Sequence, residues 1–113
     1  MANELWKTFD LASEIAELEK SKRPYREFLR VPSLSCGIYS LPVGATDLQA
    51  PHDEDEVYYV VQGRGRIKVH DQDRVVGPGS ILYVRASSEH SFFDITEDIT
   101  LLVFFASGGP SSE

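Results

Sequence analysis

The chain has 113 residues, 42% of them hydrophobic and 26% charged, which is ordinary for one globular domain with a genuine core. Its formal net charge of −7 argues against nucleic acid as a partner, because binding to phosphate backbones requires a concentrated face of Lys and Arg. No apolar run approaches the roughly 20 residues that cross a bilayer, and the single cysteine, Cys36, excludes an intrachain disulfide. The first residues lack the pattern of a secretory signal, so we expect a cytoplasmic protein that binds neither nucleic acid nor membrane.

The first part of the chain, residues 1–30, is predicted to be an N-terminal helical extension. Apolar residues recur near the helical period from Phe9 to Leu18, with acidic residues on the other faces. Asp10 can cap the helix and Pro24 stops any continuation, so we expect a short helix from about Leu11 to Lys20. Its acidic polar face disfavours a membrane role, so the apolar stripe should pack on the main body or on a second subunit.

From Ser35 onward, short β-rich runs are separated by Gly, Pro and Asp, which is typical of an all-β antiparallel sandwich or barrel. We expect this barrel to occupy residues 31–106 and the tail, residues 107–113, to be flexible. With no helix between strands, the pattern argues against the parallel α/β folds and their nucleotide sites. The predicted strands are Ser35–Leu41, Glu56–Gln62, Arg64–His70, Arg74–Val76, Ser80–Val84, His90–Ile95 and Ile99–Phe105.

One stretch carries the chemistry, because His52 and Glu56 stand four residues apart at the start of a strongly β-forming run. Alternation places Glu56 on the same face of its strand as Tyr58 and Gln62. A carboxylate that points into the interior of a sheet must be paired or bound to a metal. His90 follows one hairpin further on, and two imidazoles with one carboxylate are the ligand set of an open divalent-metal site.

The segment from Gly44 to Gly63 resembles the first motif of the cupin superfamily, which reads Gly, five residues, His-x-His, three or four residues, Glu, six residues, Gly. In this chain Ala50 and His52 occupy the two histidine positions and Glu56 occupies the glutamate position, so four of five positions match. The resemblance implies a double-stranded β-helix, or jelly-roll barrel, with a ligand cavity.

A second stretch is similar to the second cupin motif, which reads Gly, five residues, Pro-x-Gly, two residues, His, three residues, Asn. Gly79 begins it and His90 is its histidine, with no gap in the spacing. Three positions depart from the motif: Arg85 replaces the Pro, Ser87 the Gly and Asp94 the Asn.

The resemblance implies a divalent metal ion, Fe, Mn, Ni, Cu or Zn, held by His52, Glu56 and His90. Ala50 stands where metal-binding cupins have a further histidine, which leaves three alternatives. The three remaining ligands form a working site, or a nearby group such as Asp47 or Gln49 substitutes, or the site is a relic. We favour a bound metal, because a relic would have little reason to keep three ligand residues in register.

The same resemblance implies a small organic ligand in the barrel cavity, near Tyr58, Phe92 and Cys36, although core packing is the ordinary role of such residues. The leading hypothesis is a metal-dependent dioxygenase or isomerase, for which no general base can be named. The alternatives are a non-catalytic module that binds a sugar or carboxylate, and a structural or regulatory domain. The apolar strand around Tyr59 and the amphipathic helix predict a homodimer.

Overall fold

The computed structural model describes residues 5–47 and 53–106. One helix precedes six antiparallel strands that form a single sheet with the order β1-β2-β6-β3-β4, with β5 paired to β3. None of the described helices is long and apolar enough to cross a membrane. The elements are α1 Leu11–Ser21, β1 Tyr25–Val31, β2 Leu34–Leu41, β3 Glu56–Val69, β4 Gln72–Val76, β5 Ile81–Val84 and β6 His90–Phe105.

Two long strands, β3 and β6, form the centre of the fold. Their antiparallel register runs from the Glu56 and Phe105 pair at one end to the Val69 and His90 pair at the other. A flat strand of 14 residues, the length of β3, would span about 46 Å at roughly 3.3 Å per residue. The two ends nevertheless meet, since Glu56 and His90 are in contact. The paired strands therefore curl back on themselves, and this curl closes the barrel.

Bulges in the middle of the long pair supply the curl. The register between β3 and β6 shifts three times between Val60 and Arg66. Buried side chains fall on even positions up to Val60 and on odd positions from Gly63 onward, so the bulges exchange the two faces of β3. The prediction that Gln62 shares the inner face with Glu56 is wrong for this reason. Gln62 is exposed, and its amide donates to Thr100 Oγ1 at 3.2 Å.

Strand β6 exchanges its faces at Asp94. Its buried residues are His90 and Phe92 before that point and, apart from Thr100, the odd positions Ile95, Ile99, Leu101 and Val103 after it. Asp94 has a φ of 49°, in the left-handed region that Asp and Asn tolerate better than most residues. The backbone thus explains why a position that is Asn in the motif can be Asp in this chain.

Inward side chains of all the strands except β1 contribute to one apolar core, against which the partly buried Tyr25 and Tyr39 pack. Apolar burial of this extent is the main source of stability for a small domain. The core residues are Leu41, Tyr58, Val60, Ile67, Val76, Val84, Phe92, Ile95, Ile99, Leu101 and Val103.

Helix α1 confirms its prediction closely. It begins at Leu11, Asp10 accepts a hydrogen bond from the Ser13 backbone N–H at 3.0 Å as its N-cap, and Lys22 ends it in the left-handed conformation. The helix packs against β1 and β2, where Glu14 pairs with Arg26 at 2.9 Å.

The sheet begins earlier than the sequence indicated. Tyr25–Val31 forms β1, a strand that was not predicted and that pairs with β2 through a turn at Pro32 and Ser33. These residues fall almost wholly within the part assigned to the helical extension. The structure also joins the predicted strand pairs on either side of Gly63 and of Thr96–Asp98 into the continuous strands β3 and β6.

Candidate metal centre

Glu56 and His90 are each the first residue of a long strand, and the closed barrel brings them together. Their side chains are 2% and 1% exposed, and His90 Nε2 lies 3.5 Å from Glu56 Oε2. That separation exceeds a good hydrogen bond. It fits two ligands of one ion, because donors that are each about 2.1 Å from an ion lie within roughly 4.2 Å of each other.

The hydrogen bonds of His90 determine which ring nitrogen is available. Its Nδ1 is 2.9 Å from the backbone carbonyl oxygen of Ser88. A carbonyl can only accept, so Nδ1 carries a proton, and in the neutral ring Nε2 keeps its lone pair. A hydrogen bond from the second ring nitrogen to a carbonyl is also the usual way in which a ligating imidazole is oriented.

Tyr58 already uses that lone pair. Its hydroxyl lies 2.9 Å from His90 Nε2 and donates to it when the ring is neutral. Tyr58 is fully buried and packs edge-on against Phe92, with ring centroids 5.2 Å apart. The two aromatic residues that the sequence assigned to the pocket therefore lie beside His90.

Glu56 has an unsatisfied oxygen. Its Oε1 is buried and makes no hydrogen bond with any described residue. A buried polar atom without a partner costs about 1–3 kcal/mol, and more when it carries charge. This carboxylate can therefore receive a cation, or a hydrogen-bond donor from beyond the described residues.

The remaining candidate ligands are either outside the described residues or already hydrogen-bonded within the fold. His52, Ala50 and Gln49 lie outside the described residues. Within residues 5–47 and 53–106, no cluster of three or more His, Cys, Asp and Glu side chains could hold a metal. Asp47 is buried, and its two oxygens accept from the Tyr39 hydroxyl and from the Phe92 backbone N–H, both at 2.9 Å. This carboxylate therefore connects β2 to β6.

Cys36, the third residue assigned to the pocket, lies on the other side of the sheet. It pairs with Phe104, and its neighbour Gly37 pairs with Val103, a core residue. Adjacent residues of a strand point to opposite faces, so Cys36 points away from the barrel interior. It is buried on the face that α1 packs against, and burial raises the pKa of its thiol.

Tyr25 is a residue of the site that the sequence analysis missed. Its hydroxyl is buried without a hydrogen-bond partner among the described residues, and its ring lies against Gly37, where a Cβ would collide with it. Burial and the negative charges of Glu27 and Glu56 raise the pKa of Tyr25 to about 12. The hydroxyl therefore keeps its proton at neutral pH, and it has no acceptor among the described residues.

A cavity of about 190 Å³ opens beside this hydroxyl. In the ladder, Glu56 pairs with Phe105, Phe105 with Ser35, and Ser35 with Arg30, so the cavity lies along the row that begins at Glu56. Arg30 donates from Nε and Nη2 to the two oxygens of Glu27, at 3.0 and 2.8 Å. The lining residues are Tyr25, Glu27, Arg30, Ser35, Glu54 and Phe105.

Comparison with known proteins bears on the same region. The family model described as "Cupin domain" matches residues 37–105. An uncharacterized protein of Streptomyces coelicolor is 43% identical over 100 residues, which cover 88% of this chain and 95% of that protein. The matched segment includes Glu56, Tyr58 and His90.

Solved structures with this fold are more distant in sequence. KdgF from a Halomonas species has a TM-score of 0.66 and 20% identity, over 73% of this chain and 77% of that one. The cupin domain of Schizosaccharomyces pombe Cnp3 has a TM-score of 0.67 and 16% identity, over 74% and 63%. The DMSP lyase DddQ of Ruegeria pomeroyi has a TM-score of 0.65 and 18% identity, over 73% of this chain but only 42% of the lyase. The jelly-roll fold predicted from the two motifs is confirmed.

Proposed function

The chain belongs to the cupin family, and from that premise we propose that it binds one divalent metal ion through His52, Glu56 and His90. In this proposal the ion, Fe, Mn, Ni, Cu or Zn, serves a dioxygenase or isomerase reaction on a small organic molecule. The proposal includes a homodimer in the cytoplasm, as predicted from the sequence. The observation that carries it is the carboxylate of Glu56, whose Oε2 lies 3.5 Å from His90 Nε2 and whose buried Oε1 has no partner among the described residues.

The described residues fit a cation. An ionised carboxylate in a barrel interior is costly without a positive partner, and Oε1 of Glu56 has neither a cation nor a donor among the described residues. His90 is oriented by the Ser88 carbonyl, so its second nitrogen is suited to be a ligand. When bound with open positions, such an ion supplies Lewis acidity or, as Fe(II), a place where dioxygen and substrate meet.

The chain's own residues would position the substrate. Tyr25 remains protonated at neutral pH and can donate to a substrate oxygen. Tyr58 and Phe92 form an apolar, water-excluding wall beside His90. A substrate oxygen that accepted from Tyr25 would satisfy this buried hydroxyl, which has no partner among the described residues.

The experiment that tests the metal is elemental analysis of protein purified without chelator and without a metal-affinity tag. We expect close to one equivalent of metal per chain, or stoichiometric uptake when metal is added. The Glu56→Gln variant should lose the metal and the thermal stabilisation that added metal gives. Its metal-free form should melt higher than the metal-free wild type, because a neutral amide costs less to bury than an unpaired carboxylate.

Glu89→Gln is the matched control, since Glu89 is exposed and adjacent to His90 in the sequence. It should keep the metal content and the metal-induced rise in Tm. If wild type holds only traces of metal and takes up none on addition, the metal proposal is wrong. Wild-type metal content in Glu56→Gln would remove Glu56 from the ligand set.

A change at Ala50 tests the register of the first motif. Ala50→His would restore the fourth ligand of the cupin pattern and should tighten metal binding, measured by competition with a chelator. Unchanged affinity would show that position 50 does not face the site.

A second candidate, a cupin that binds a small sugar or carboxylate without catalysis, is favoured by one specific contact. Tyr58 holds His90 Nε2 at 2.9 Å, so metal binding would have to break or share this hydrogen bond. Oxygen consumption with thiols, diketones and catechols separates the two candidates. Turnover by metal-loaded protein supports the oxygenase, whereas binding of panel compounds without turnover supports the binder.

A further inference from the structure

The hydrogen bond between Tyr58 and His90 occupies the atom through which His90 would bind a metal. His90 Nδ1 carries its proton toward the Ser88 carbonyl oxygen, 2.9 Å away, so Nε2 holds the free lone pair of the neutral ring. The Tyr58 hydroxyl lies 2.9 Å from Nε2 and donates to it. One lone pair can accept this hydrogen bond or coordinate an ion, but it cannot do both at full strength.

The packing around Tyr58 holds its hydroxyl in this position. Tyr58 is 0% exposed and belongs to the inward residues of β3. Its ring packs edge-on against Phe92 and against His90, with ring centroids 5.2 and 6.0 Å apart. Side chains in a close-packed interior have little room for another rotamer. The hydroxyl therefore stays at Nε2 in the metal-free protein.

The direction of this hydrogen bond matters for the metal. Because Nε2 accepts, the hydrogen of the Tyr58 hydroxyl lies between its oxygen and Nε2. An ion bound to Nε2 would be centred in the same direction, about 2.1 Å from the nitrogen. Glu56 Oε2 is 3.5 Å from Nε2, so an ion that both residues share must enter this region. Tyr58 presents a hydrogen to the ion position, and no lone pair.

We propose that the Tyr58 hydroxyl competes with the metal for His90 Nε2 and so limits the metal affinity of the site, an inference that rests on the proposed function. In the metal-free protein the hydrogen bond satisfies Nε2, and an ion must displace it before His90 becomes a ligand. The free energy of the hydrogen bond therefore opposes metal binding. Without the hydroxyl, the same ion should bind more tightly.

The test is the affinity for Zn²⁺, measured by competition with a chelator. Tyr58→Phe should bind Zn²⁺ about two- to tenfold more tightly than wild type, which is the effect of one typical internal hydrogen bond. Tyr83→Phe is the matched control, because it also loses a phenol hydroxyl. Tyr83 is 63% exposed and pairs with Val57, on the side of β3 that points away from the core, so this variant should bind as wild type does.

Thermal unfolding separates competition from a purely structural role of Tyr58. Metal-free Tyr58→Phe should melt below metal-free wild type, because the hydrogen bond is lost and the buried Nε2 loses this donor. In zinc-loaded protein the difference should shrink, since the ion has already displaced the hydroxyl. An equal loss of Tm in both forms would show that Tyr58 supports the fold without competing, and would overturn the inference.

A measurement on wild type needs no variant. Copper-loaded wild type should show no visible charge-transfer band from a phenolate bound to Cu²⁺. Such a band, abolished in Tyr58→Phe, would make the Tyr58 oxygen a ligand and would overturn the competition, and so would equal or weaker zinc binding by the variant.

These outcomes are distinguishable from failure of the proposed metal site. If wild type binds zinc and Tyr58→Phe binds it no more tightly, the competition is wrong and the metal site stands. If only Tyr58→Phe takes up zinc, the competition is supported and the metal function of wild type is wrong. If neither protein takes up zinc, both proposals are overturned.

Discussion

Tyr25 and Tyr39 are neighbours whose hydroxyl groups have opposite surroundings. Their rings meet edge-on with centroids 6.3 Å apart, in paired positions on β1 and β2. The Tyr39 hydroxyl donates to Asp47 at 2.9 Å, whereas the Tyr25 hydroxyl is buried without a described partner. The first hydroxyl therefore stabilises the fold, and the second is available to a ligand.

The two corresponding Phe variants separate these roles. Tyr39→Phe removes the hydrogen bond from the Tyr39 hydroxyl to Asp47 Oδ1 and should lower the free energy of unfolding by about 1–3 kcal/mol. Tyr25→Phe removes a hydroxyl that has no described partner. It should change the free energy of unfolding by less than about 0.5 kcal/mol, in either direction. Urea denaturation measures both. A large loss in Tyr25→Phe would mean that its hydroxyl has a structural partner.

At the scale of the elements, the glycines of the two motifs stand where the backbone has a positive φ, which residues with a Cβ disfavour. Gly44, Gly63 and Gly79 all have positive φ, and so does Ser87, which stands at a glycine position of the motif. At Gly63 the constraint is twofold, because a Cβ would also collide with the backbone of Asp98 on β6. Close approach of β3 and β6 at this point is part of the curl that closes the barrel.

Substituting alanine at two of these positions distinguishes strain from collision. Gly44→Ala has open space around the new Cβ and should cost only the left-handed conformation, about 1–2 kcal/mol. Gly63→Ala should lower the free energy of unfolding by clearly more, because the strands must also move apart. In metal-loaded protein it should also weaken metal binding. Equal losses in thermal or urea unfolding would contradict a role for close strand packing.

At the scale of the whole molecule, the buried tyrosines connect stability to alkaline pH. Burial and nearby carboxylates raise the pKa of Tyr25 from 10.0 to about 12, and burial with the charge and hydrogen bond of Asp47 raises the pKa of Tyr39 further. The folded state therefore holds these protons more tightly than the unfolded state. The stabilisation that the two protonated hydroxyls give to the folded state is fully present below pH 10. It is lost as the pH rises through the pKa values of the folded state.

We expect the free energy of unfolding to fall steadily from about pH 10 upward, because the unfolded state releases these phenol protons first. Urea denaturation across this range measures the slope, and ultraviolet absorbance follows the ionisation. The double variant Tyr25→Phe, Tyr39→Phe should flatten the slope relative to wild type. An equally steep slope in the variant would assign alkaline unfolding to other groups.

Local sequence signals predicted the helix and most strands well. Features that depend on pairing between distant strands were predicted poorly. The Asp10 cap and the turn residues are local, so α1 and most strand bounds followed from the sequence. Strand β1 lacks a clear alternation and is defined by its pairing with β2, which no local pattern carries. The exposed side chain of Gln62 follows from bulges that depend on the partner strand.

The candidate site shows the same division. Motif spacing identified Glu56 and His90, and the barrel does bring them together. The position of Tyr25 was not predicted, because nothing in its sequence neighbourhood distinguishes it from an ordinary partly buried tyrosine. Only the pairing of β1 with β2 places its ring against Gly37 and buries its hydroxyl.

The contact between Glu56 and His90 joins opposite ends of one long strand pair, β3 and β6. Such ends can meet only after the strands have curled, so we expect their contact to form in the last part of folding. Interactions absent from the folding transition state slow unfolding and leave the folding rate almost unchanged. A ligand that bridges these two side chains would therefore govern how long each molecule stays folded, and would have little influence on how quickly it folds.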